Sequence, residues 1–378
     1  MKNKLLLFSI FLLSVLCGGC WENNEISQQA IVLAMGIDSA PKDKLQVSVQ
    51  IPIAEKNLSP LAGGEAESRK SFYVISKEAD SVFSSITGLQ GNTSKDIFYG
   101  QLKVLVINTE IAQRGILEVI DLVQRHPEIP PQMVIVLTKG KAADILKAEL
   151  SSNEVPAFAI HDSLLSPDKY DAVYSLRVWQ IARSIINGSE DVFIPFIYFD
   201  QQEKALTIQG LGVFHQGRLA GELSDIETRM FGLMTGRARN AHPSLSFGNK
   251  GWGTFRNVSA CSQVRIEFND APIRNQPLTF LVKVHAQGLL VELTSGKAQL
   301  NIKEINNMQK KIEGALRNQM IETLRHLQQL NADILGFGEL LRAERPKIWS
   351  HLNWEEEYPR IRVKVAVKFQ IERTGEYR

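Results

Sequence analysis

Two cysteines near the start of the chain are the residues whose type and spacing most directly indicate chemistry. Cys17 and Cys20 are separated by two glycines and follow an apolar run over residues 5–16, which Lys2 and Lys4 precede. This order is typical of a secretory signal with its cleavage site. A cysteine directly after small residues also matches a bacterial lipobox. We therefore predict a signal peptide over residues 1–19 and a lipidation site at Cys20, which would carry S-diacylglycerol and N-palmitoyl groups.

Two other interpretations of these cysteines remain open. Signal cleavage without lipidation would leave an unanchored exported protein. The spacing of Cys17 and Cys20 is also that of a redox motif, but such a pair normally lies at a helix N-terminus after a strand. Cys17 occupies the position where a lipobox usually has leucine, and Leu16 stands one place earlier. If Cys20 is lipidated, Cys261 is the one thiol left in the mature chain, so no intramolecular disulfide can form.

Composition excludes several classes of function. The chain has 378 residues, of which 44% are hydrophobic and 22% are charged, so it can bury a substantial core. It has 43 Lys and Arg against 41 Asp and Glu, and removing Lys2 and Lys4 leaves a neutral mature protein. This balance gives no general attraction to nucleic acid. After residue 16, no apolar segment is long enough to span a bilayer as a helix.

Motifs for catalysis, metal binding and cofactor binding are absent from the sequence. The seven histidines are scattered, and no two of them share a helical turn. No H-E-x-x-H or G-x-S-x-G motif occurs, and Gly210 and Gly212 lack the third glycine of a dinucleotide-binding loop. We expect no catalytic residue, no metal ligand and no cofactor. The acidic run at residues 355–357 is interpreted as a solvated helix end.

Hydrophobic periodicity predicts alternating strands and helices in the first half of the chain. Strands are predicted over residues 30–37, 45–53, 72–76, 99–108 and 133–138. Helices are predicted over residues 81–89, 111–125, 141–150 and 176–186, and a mobile loop over residues 55–71. This strand–helix alternation favours a sheet that is at least partly parallel.

The second half has a different pattern. A hairpin is predicted around Gln216 and Gly217, a short helix over residues 225–233 and a loop over residues 240–253. Strands are predicted near residues 264–268, over 278–293 and over 361–371, with a long amphipathic helix over 302–330. The fold class is therefore α+β, with several mixed sheets and a C-terminal antiparallel sheet packed on one long helix. We predict an N-terminal α/β-like domain over 20–195, a small middle domain or subdomain over 200–245 and a C-terminal α+β domain over 255–378.

Short segments along nearly the whole chain resemble those of one protein family. They are Gly19-Cys20-Trp21-Glu22, Ala34-Met35-Gly36-Ile37-Asp38, Tyr99-Gly100-Gln101-Leu102-Lys103, Ile194-Pro195-Phe196, Gly210-Leu211-Gly212-Val213-Phe214, Gly221-Glu222-Leu223, Asp333-Ile334-Leu335-Gly336-Phe337-Gly338 and Trp349. In this order they resemble the Ger(x)C family, the C subunits of spore nutrient-germinant receptors. Gln101 departs from the histidine usual in the family.

The resemblance implies a non-enzymatic lipoprotein on the outer face of the spore inner membrane, with an elongated multi-domain α+β fold. It implies two integral-membrane partner subunits, one of them transporter-like, in a receptor that triggers germination. Only Cys20 carries over residue by residue, as the lipidation site. The alternative is a substrate-binding lipoprotein that delivers a small molecule to a membrane transporter. That function would need a cleft between two similar lobes, and the two halves of this sequence differ.

Overall fold

The structure is a computed structural model, and it describes residues 28–53, 71–165, 174–188, 190–238, 244–246, 252–267, 278–293 and 302–374. The predicted signal peptide, Cys20 and nearly all of the predicted loop at 55–71 lie outside these residues. The described strands are β1 (Gln29–Ile31), β2 (Ala34–Ser39), β3 (Leu45–Pro52), β4 (Phe72–Ala79), β5 (Asp96–Phe98), β6 (Val104–Asn108), β7 (Val134–Thr138), β8 (Phe193–Asp200), β9 (Ala205–His215), β10 (Arg218–Leu223), β11 (Ser244–Ser246), β12 (Trp252–Glu267), β13 (Thr279–Leu293) and β14 (Arg362–Thr374).

Helices connect most of these strands. The described helices are α1 (Val82–Leu89), α2 (Thr109–Arg114), α3 (Leu117–Arg125), α4 (Ala142–Lys147), α5 (Pro156–Leu165), α6 (Val178–Asn187), α7 (Asp225–Met234), α8 (Ile302–Gln329), α9 (Phe337–Glu344), α10 (Pro346–Trp349) and α11 (Trp354–Glu357). Short 3-10 turns follow α1 at Gln90–Asn92 and α11 at Tyr358–Arg360.

A mixed sheet organises the first half of the described chain. Its eight strands lie in the order β10-β9-β8-β7-β6-β2-β3-β4, and β1 and β5 form a separate two-stranded ribbon. The neighbours β2, β6, β7 and β8 are parallel, as the strand–helix alternation predicts, because a helix between two strands returns the chain to its starting edge. The strands β6 and β7 are buried along their whole length, since helices cover both faces.

Two of the predicted helices differ in extent from the observed ones. The predicted helix at 111–125 is two helices, α2 and α3, because Gly115 between them has φ +129° and cannot continue a helical turn. The predicted helix at 141–150 ends at Lys147.

Capping explains where helices α1 and α2 begin. The side chain of Ser81 accepts a hydrogen bond from the Ser84 N–H, and that of Asn108 accepts one from the Glu110 N–H.

Strands β9 and β10 extend the large sheet rather than starting a new one. They form the hairpin predicted around Gln216 and Gly217, and β9 pairs antiparallel with β8. The described part of the predicted middle domain therefore continues the sheet of the first half as far as Leu223. The domain boundaries themselves stay a prediction.

The C-terminal half has its own sheet in the described residues, in the order β11-β12-β13-β14. The expectation that this sheet is entirely antiparallel is wrong, because β14 pairs parallel to β13 over ten residues and beyond. The reason is α8, which lies between these strands in the chain and carries it back across the sheet. The predicted loop at 240–253 includes β11 and the first residues of β12, and its remaining residues lie outside the described ones.

Helix α8 packs on this sheet with the predicted apolar stripe. Its positions Ile312, Leu316, Met320 and Leu324 are buried in the C-terminal core. In β14 the predicted alternation holds, with Phe369 buried and Arg362, Lys364 and Lys368 exposed. The α+β class with several sheets is thus confirmed.

Candidate functional site

The predicted site residue Cys20 lies outside the described residues, so the structure places no part of the predicted lipidation site. The other segments that carry the family resemblance fall at positions of close packing. Gly36 on β2 is one, since a Cβ atom there would lie 3.0 Å from the Cβ of Ala142. Asp38 on the same strand accepts hydrogen bonds from the Ala142 and Ala143 N–H groups at 2.6 and 3.0 Å. Both residues therefore fix the start of α4 against the sheet.

Asp333, which begins another of these segments, joins the two halves of the molecule together with Asp191. Asp191 lies just before β8, and Asp333 follows α8. The Asp191 N–H donates to the Asp333 carbonyl oxygen at 3.1 Å, and the Asp333 N–H donates to Oδ2 of Asp191 at 2.9 Å. Because the bonds run in both directions, this reciprocal pair fixes the chain after α8 against the segment that leads into β8, an interior strand of the large sheet. We call the surroundings of Asp191 and Asp333 the junction.

Each of the two junction carboxylates has further partners. Oδ2 of Asp191 lies 3.3 Å from Nδ1 of His215, and its Oδ1 accepts the Gln216 N–H at 3.3 Å. The two carboxylate oxygens of Asp333 accept the Phe337 and Gly338 N–H groups at 3.0 and 2.7 Å. These are free N–H groups in the first turn of α9, so Asp333 caps that helix from four residues upstream.

Burial makes Asp333 an unusual carboxylic acid. The residue is 2% exposed. Loss of hydration raises its pKa to about 7, although the two backbone hydrogen bonds act in the opposite direction. The neighbouring carboxylates of Asp191 and Glu190 raise it further. The junction therefore contains a group that gains or loses a proton near neutral pH.

The segment that begins at Asp333 connects two hydrophobic cores. Ile334 is buried in the core of the large sheet, Phe337 is buried in the C-terminal core, and Leu335 packs against both. Gly336 between them has φ +76°, a backbone conformation that residues other than glycine rarely adopt. Helix α7 has the same double role, since Phe231 packs in the first core and Met230 packs in the second.

Side chains from the last helices complete the junction. The Tyr358 hydroxyl donates to the Ala332 carbonyl oxygen at 3.0 Å. Nε2 of Gln216 donates to the Glu355 carboxylate, which links the β9–β10 turn to α11. The Asn331 side-chain amide donates to the Glu355 carbonyl oxygen at 3.2 Å.

The junction surrounds a cavity of about 500 Å³ in the described structure. One side of it is formed by residues next to β8 and the β9–β10 turn, including Asp191 and His215. The other side is formed by Trp349, Trp354 and Tyr358. The cavity therefore lies between the two halves of the chain.

Only part of this site can be predicted from the sequence. Asp333 belongs to a segment that carries the family resemblance, but its partner Asp191 belongs to none of these segments. No local pattern marks Asp191 or His215, because their roles come from contacts across 142 and 24 residues. The acidic run at 355–357 forms the helix end that was predicted, with Glu355 and Glu356 exposed.

Two kinds of feature are absent from the residues that the structure describes. Within these ranges, no helix combines the length and the apolar character needed to cross a bilayer. No group of three or more His, Cys, Asp and Glu side chains in them is arranged to hold a metal ion.

Both halves of the chain are similar in sequence to known proteins. Residues 22–198 match the family profile described as "Spore germination protein N-terminal domain", and residues 209–375 match "Spore germination B3/ GerAC like, C-terminal". The chain is 23% identical to "Putative spore germination protein YfkR" of Bacillus subtilis (strain 168), covering 96% of this chain and 95% of that protein. It is also 23% identical to "Spore germination protein KC" of the same organism, covering 99% and 97%.

A solved structure has the same fold. The crystal structure of the GerBC protein superposes with a TM-score of 0.59 at 15% identity, covering 90% of this chain and 97% of that chain. At this identity the likeness establishes the fold alone. The two profile matches follow one another along the chain and together span most of it. The chain therefore belongs to the Ger(x)C family of spore germination proteins.

Proposed function

We propose that this protein is a non-enzymatic, lipid-anchored subunit of a spore nutrient-germinant receptor. It would lie on the outer face of the spore inner membrane and assemble there with two integral-membrane subunits, one of them transporter-like, to trigger germination. The observation that carries the proposal is the match of both halves of the chain, in order, to the two domains of a spore germination family.

The roles of the family-like segments in the fold support a function through assembly. Gly36 and Asp38 fix a helix start, and Asp333 caps α9 and bonds to Asp191. Gly221 lies against Leu330, whose side-chain atoms would be 2.7 Å from an added Cβ atom. These residues fix the positions of strands and helices relative to one another. A subunit that presents a rigid surface to its partners requires such fixed positions.

The proposed anchor restricts where the folded chain can lie. Seven residues lie between Cys20 and Gln28, the first described residue, and the eight Cα–Cα steps from Cys20 to Gln28 span at most ~29 Å. With this anchor, Gln28, directly before β1, would lie within that distance of the anchored cysteine. The two acyl chains of the diacylglycerol group alone give a durable attachment, whereas a single chain binds only marginally. The anchor would raise the effective concentration of the protein near its partners.

Substitution of single cysteines tests the anchor. Cys20→Ala should release the protein from the membrane fraction of spores and impair nutrient germination, because lipidation needs this thiol. Cys261→Ala is the matched control, since this exposed thiol lies in the folded chain, far from the predicted lipobox. Mass spectrometry of the mature N-terminus reads the modification directly. Membrane retention and normal germination in the Cys20→Ala strain would contradict the proposal.

The partners are tested by a tagged pull-down from detergent-solubilised spore inner membrane. Recovery of two multi-pass membrane proteins, one of them transporter-like, is the expected result. Recovery of an ATP-driven importer would instead favour the alternative, a substrate-binding lipoprotein. Calorimetry with candidate nutrients on the purified chain separates the two functions further, because only solute capture requires this chain to bind the nutrient tightly.

A further inference from the structure

The C-terminal sheet has one face that no described helix covers. Along β12, β13 and β14 the side chains alternate between the two faces, and those on the side of α8 form the C-terminal core. The positions on the other side are exposed or half-buried, with Gln263, His285 and Lys368 among the exposed ones. In the described structure, this face is therefore open to solvent across all three strands.

Five cations are gathered on this open side of the sheet, and we call them the basic face. The strand register places them in four neighbouring rows, at the end of the sheet where β14 begins. They are Arg265 on β12, Lys283 on β13, and Arg362, Lys364 and Lys368 on β14. In these rows the described strands contribute one carboxylate, that of Glu267, which lies 2.7 Å from Nζ of Lys364. The face therefore has an excess of positive charge, although the whole chain is nearly neutral.

Lys283 lies at the centre of the basic face. The strand register makes Arg265, Lys364 and Lys368 its diagonal neighbours. Diagonal positions in a sheet are about 7–8 Å apart, which long side chains can span. Within the described residues, Lys364 is the one member of the basic face that forms an ion pair. Since like charges at this spacing repel, a surface of opposite charge that covered the face would stabilise it.

The composition of this face favours a lipid surface over a protein surface as its partner. The cores of protein interfaces are enriched in aromatic residues and arginine and depleted in lysine. The open side of these four rows has no phenylalanine, tyrosine or tryptophan at its described positions, and three of its five cations are lysines. A lysine on its flexible stem acts as a point charge that needs no defined partner geometry. Clusters of about four to eight lysines and arginines are typical of segments that bind anionic headgroups.

We propose that the basic face binds the anionic headgroups of a phospholipid bilayer, so that the C-terminal sheet lies on the membrane surface. The inference rests on the membrane location in the proposed function, because the lipid anchor brings such a surface within reach. It also goes beyond that function. The anchor holds one end of the chain to the membrane, whereas a second contact through this face fixes how the folded chain is oriented there.

Vesicle binding by a chain without acyl groups tests the face separately from the anchor. The mature chain from residue 20 onwards, with Cys20→Ala, is sedimented with vesicles of phosphatidylcholine alone or mixed equally with phosphatidylglycerol. We expect about a hundredfold tighter binding to the anionic vesicles at low salt, because each cation near an anionic surface adds to the attraction. About 0.5 M salt should abolish this difference, since it screens charges beyond a few ångström.

Double variants locate the contact on the chain. Lys283→Gln combined with Lys368→Gln should weaken binding to the anionic vesicles about tenfold or more, since each lysine at such a surface contributes up to about fivefold. Lys310→Gln combined with Lys311→Gln is the matched control. It removes the same charge from exposed positions of α8, on the other side of the sheet. Circular dichroism and the unfolding midpoint verify that each variant folds.

Two results would overturn the inference. Equal binding to the two kinds of vesicle, or binding to neither, would favour an acidic protein surface as the partner of the basic face. Equal loss of binding in the two double variants would show that net charge, and not this face, governs the interaction.

Failure of this inference can be distinguished from failure of the receptor-subunit proposal. Neither of the two results bears on the acylation of Cys20 or on the recovery of membrane partners, which are measured on spores. A contact through charge alone is reversible and is screened by salt. Washing the spore membrane fraction with salt therefore removes the Cys20→Ala protein and keeps the lipid-anchored one.

Discussion

Replacing Asp333 by asparagine should change how stability depends on pH. The carboxyl group is held in a fully buried site where its pKa is about 7, compared with an ordinary value of 3.8. Between these two values the folded protein holds a proton that the unfolded chain has released. The free energy of unfolding therefore falls as pH rises, and the contribution is complete below pH 3.8 and lost above pH 7.

The size of the effect follows from the same two values. Each pH unit between them corresponds to about 1.4 kcal/mol, so the whole interval corresponds to about 4 kcal/mol. Asparagine cannot titrate, and it offers one acceptor oxygen where Asp333 uses two for the Phe337 and Gly338 N–H groups. The variant should be less stable than the parent at pH 4.5, and this deficit should shrink or reverse by pH 7.5.

Urea unfolding at several pH values between 4.5 and 7.5 measures this difference. Tryptophan fluorescence is a suitable signal, because Trp349 and Trp354 line the cavity beside Asp333. Asp121→Asn, at an exposed carboxylate on α3, serves as the control and should keep the pH dependence of the parent. If Asp333→Asn and the parent lose stability in parallel as the pH rises, the buried carboxyl group does not titrate as argued.

Four further substitutions test the packing of the fold. Phe369→Ala on β14 should lower the free energy of unfolding by about 3–5 kcal/mol, measured by denaturant titration, and Val365→Ala at a half-buried site should cost clearly less. Gly221→Val should lower the thermal midpoint, because the added atoms meet the side chain of Leu330, and an unchanged midpoint would contradict that contact. Gln50→Leu should cost about 1–3 kcal/mol, since it leaves the Ala157 N–H and the Leu146 carbonyl oxygen without their partner; equal stability to the parent would show that water replaces it.

The parts of the fold that the sequence predicts are those set by local pattern. The apolar stripe of α8 and the alternation in β14 each follow from periodicity, and both are present. The direction of β14 relative to β13 could not be predicted, because the sequence of a strand does not determine which way its neighbour runs. That depends on the path of α8 between the two strands, which brings β14 back parallel to β13.

The residues of the junction can also be predicted only in part from the sequence. Asp333 can be noticed from the sequence because it begins a segment shared with a known family. Asp191 and His215 cannot be noticed, since their chemistry arises from one another and from Asp333. A hydrogen bond between residues 142 positions apart leaves no local spacing to read.

The parallel pairing of β13 and β14 also determines the order in which the C-terminal half can fold. The hairpin of β12 and β13 can form early, but Thr279 meets its partner Arg362 only after a loop of more than 80 residues has closed. Closing such a loop costs entropy before the contacts form, and it slows folding. Until α8 has crossed the sheet, β13 keeps an open edge fifteen residues long. An open edge of this kind is a site of aggregation, so production of the protein should depend strongly on temperature and on chaperones.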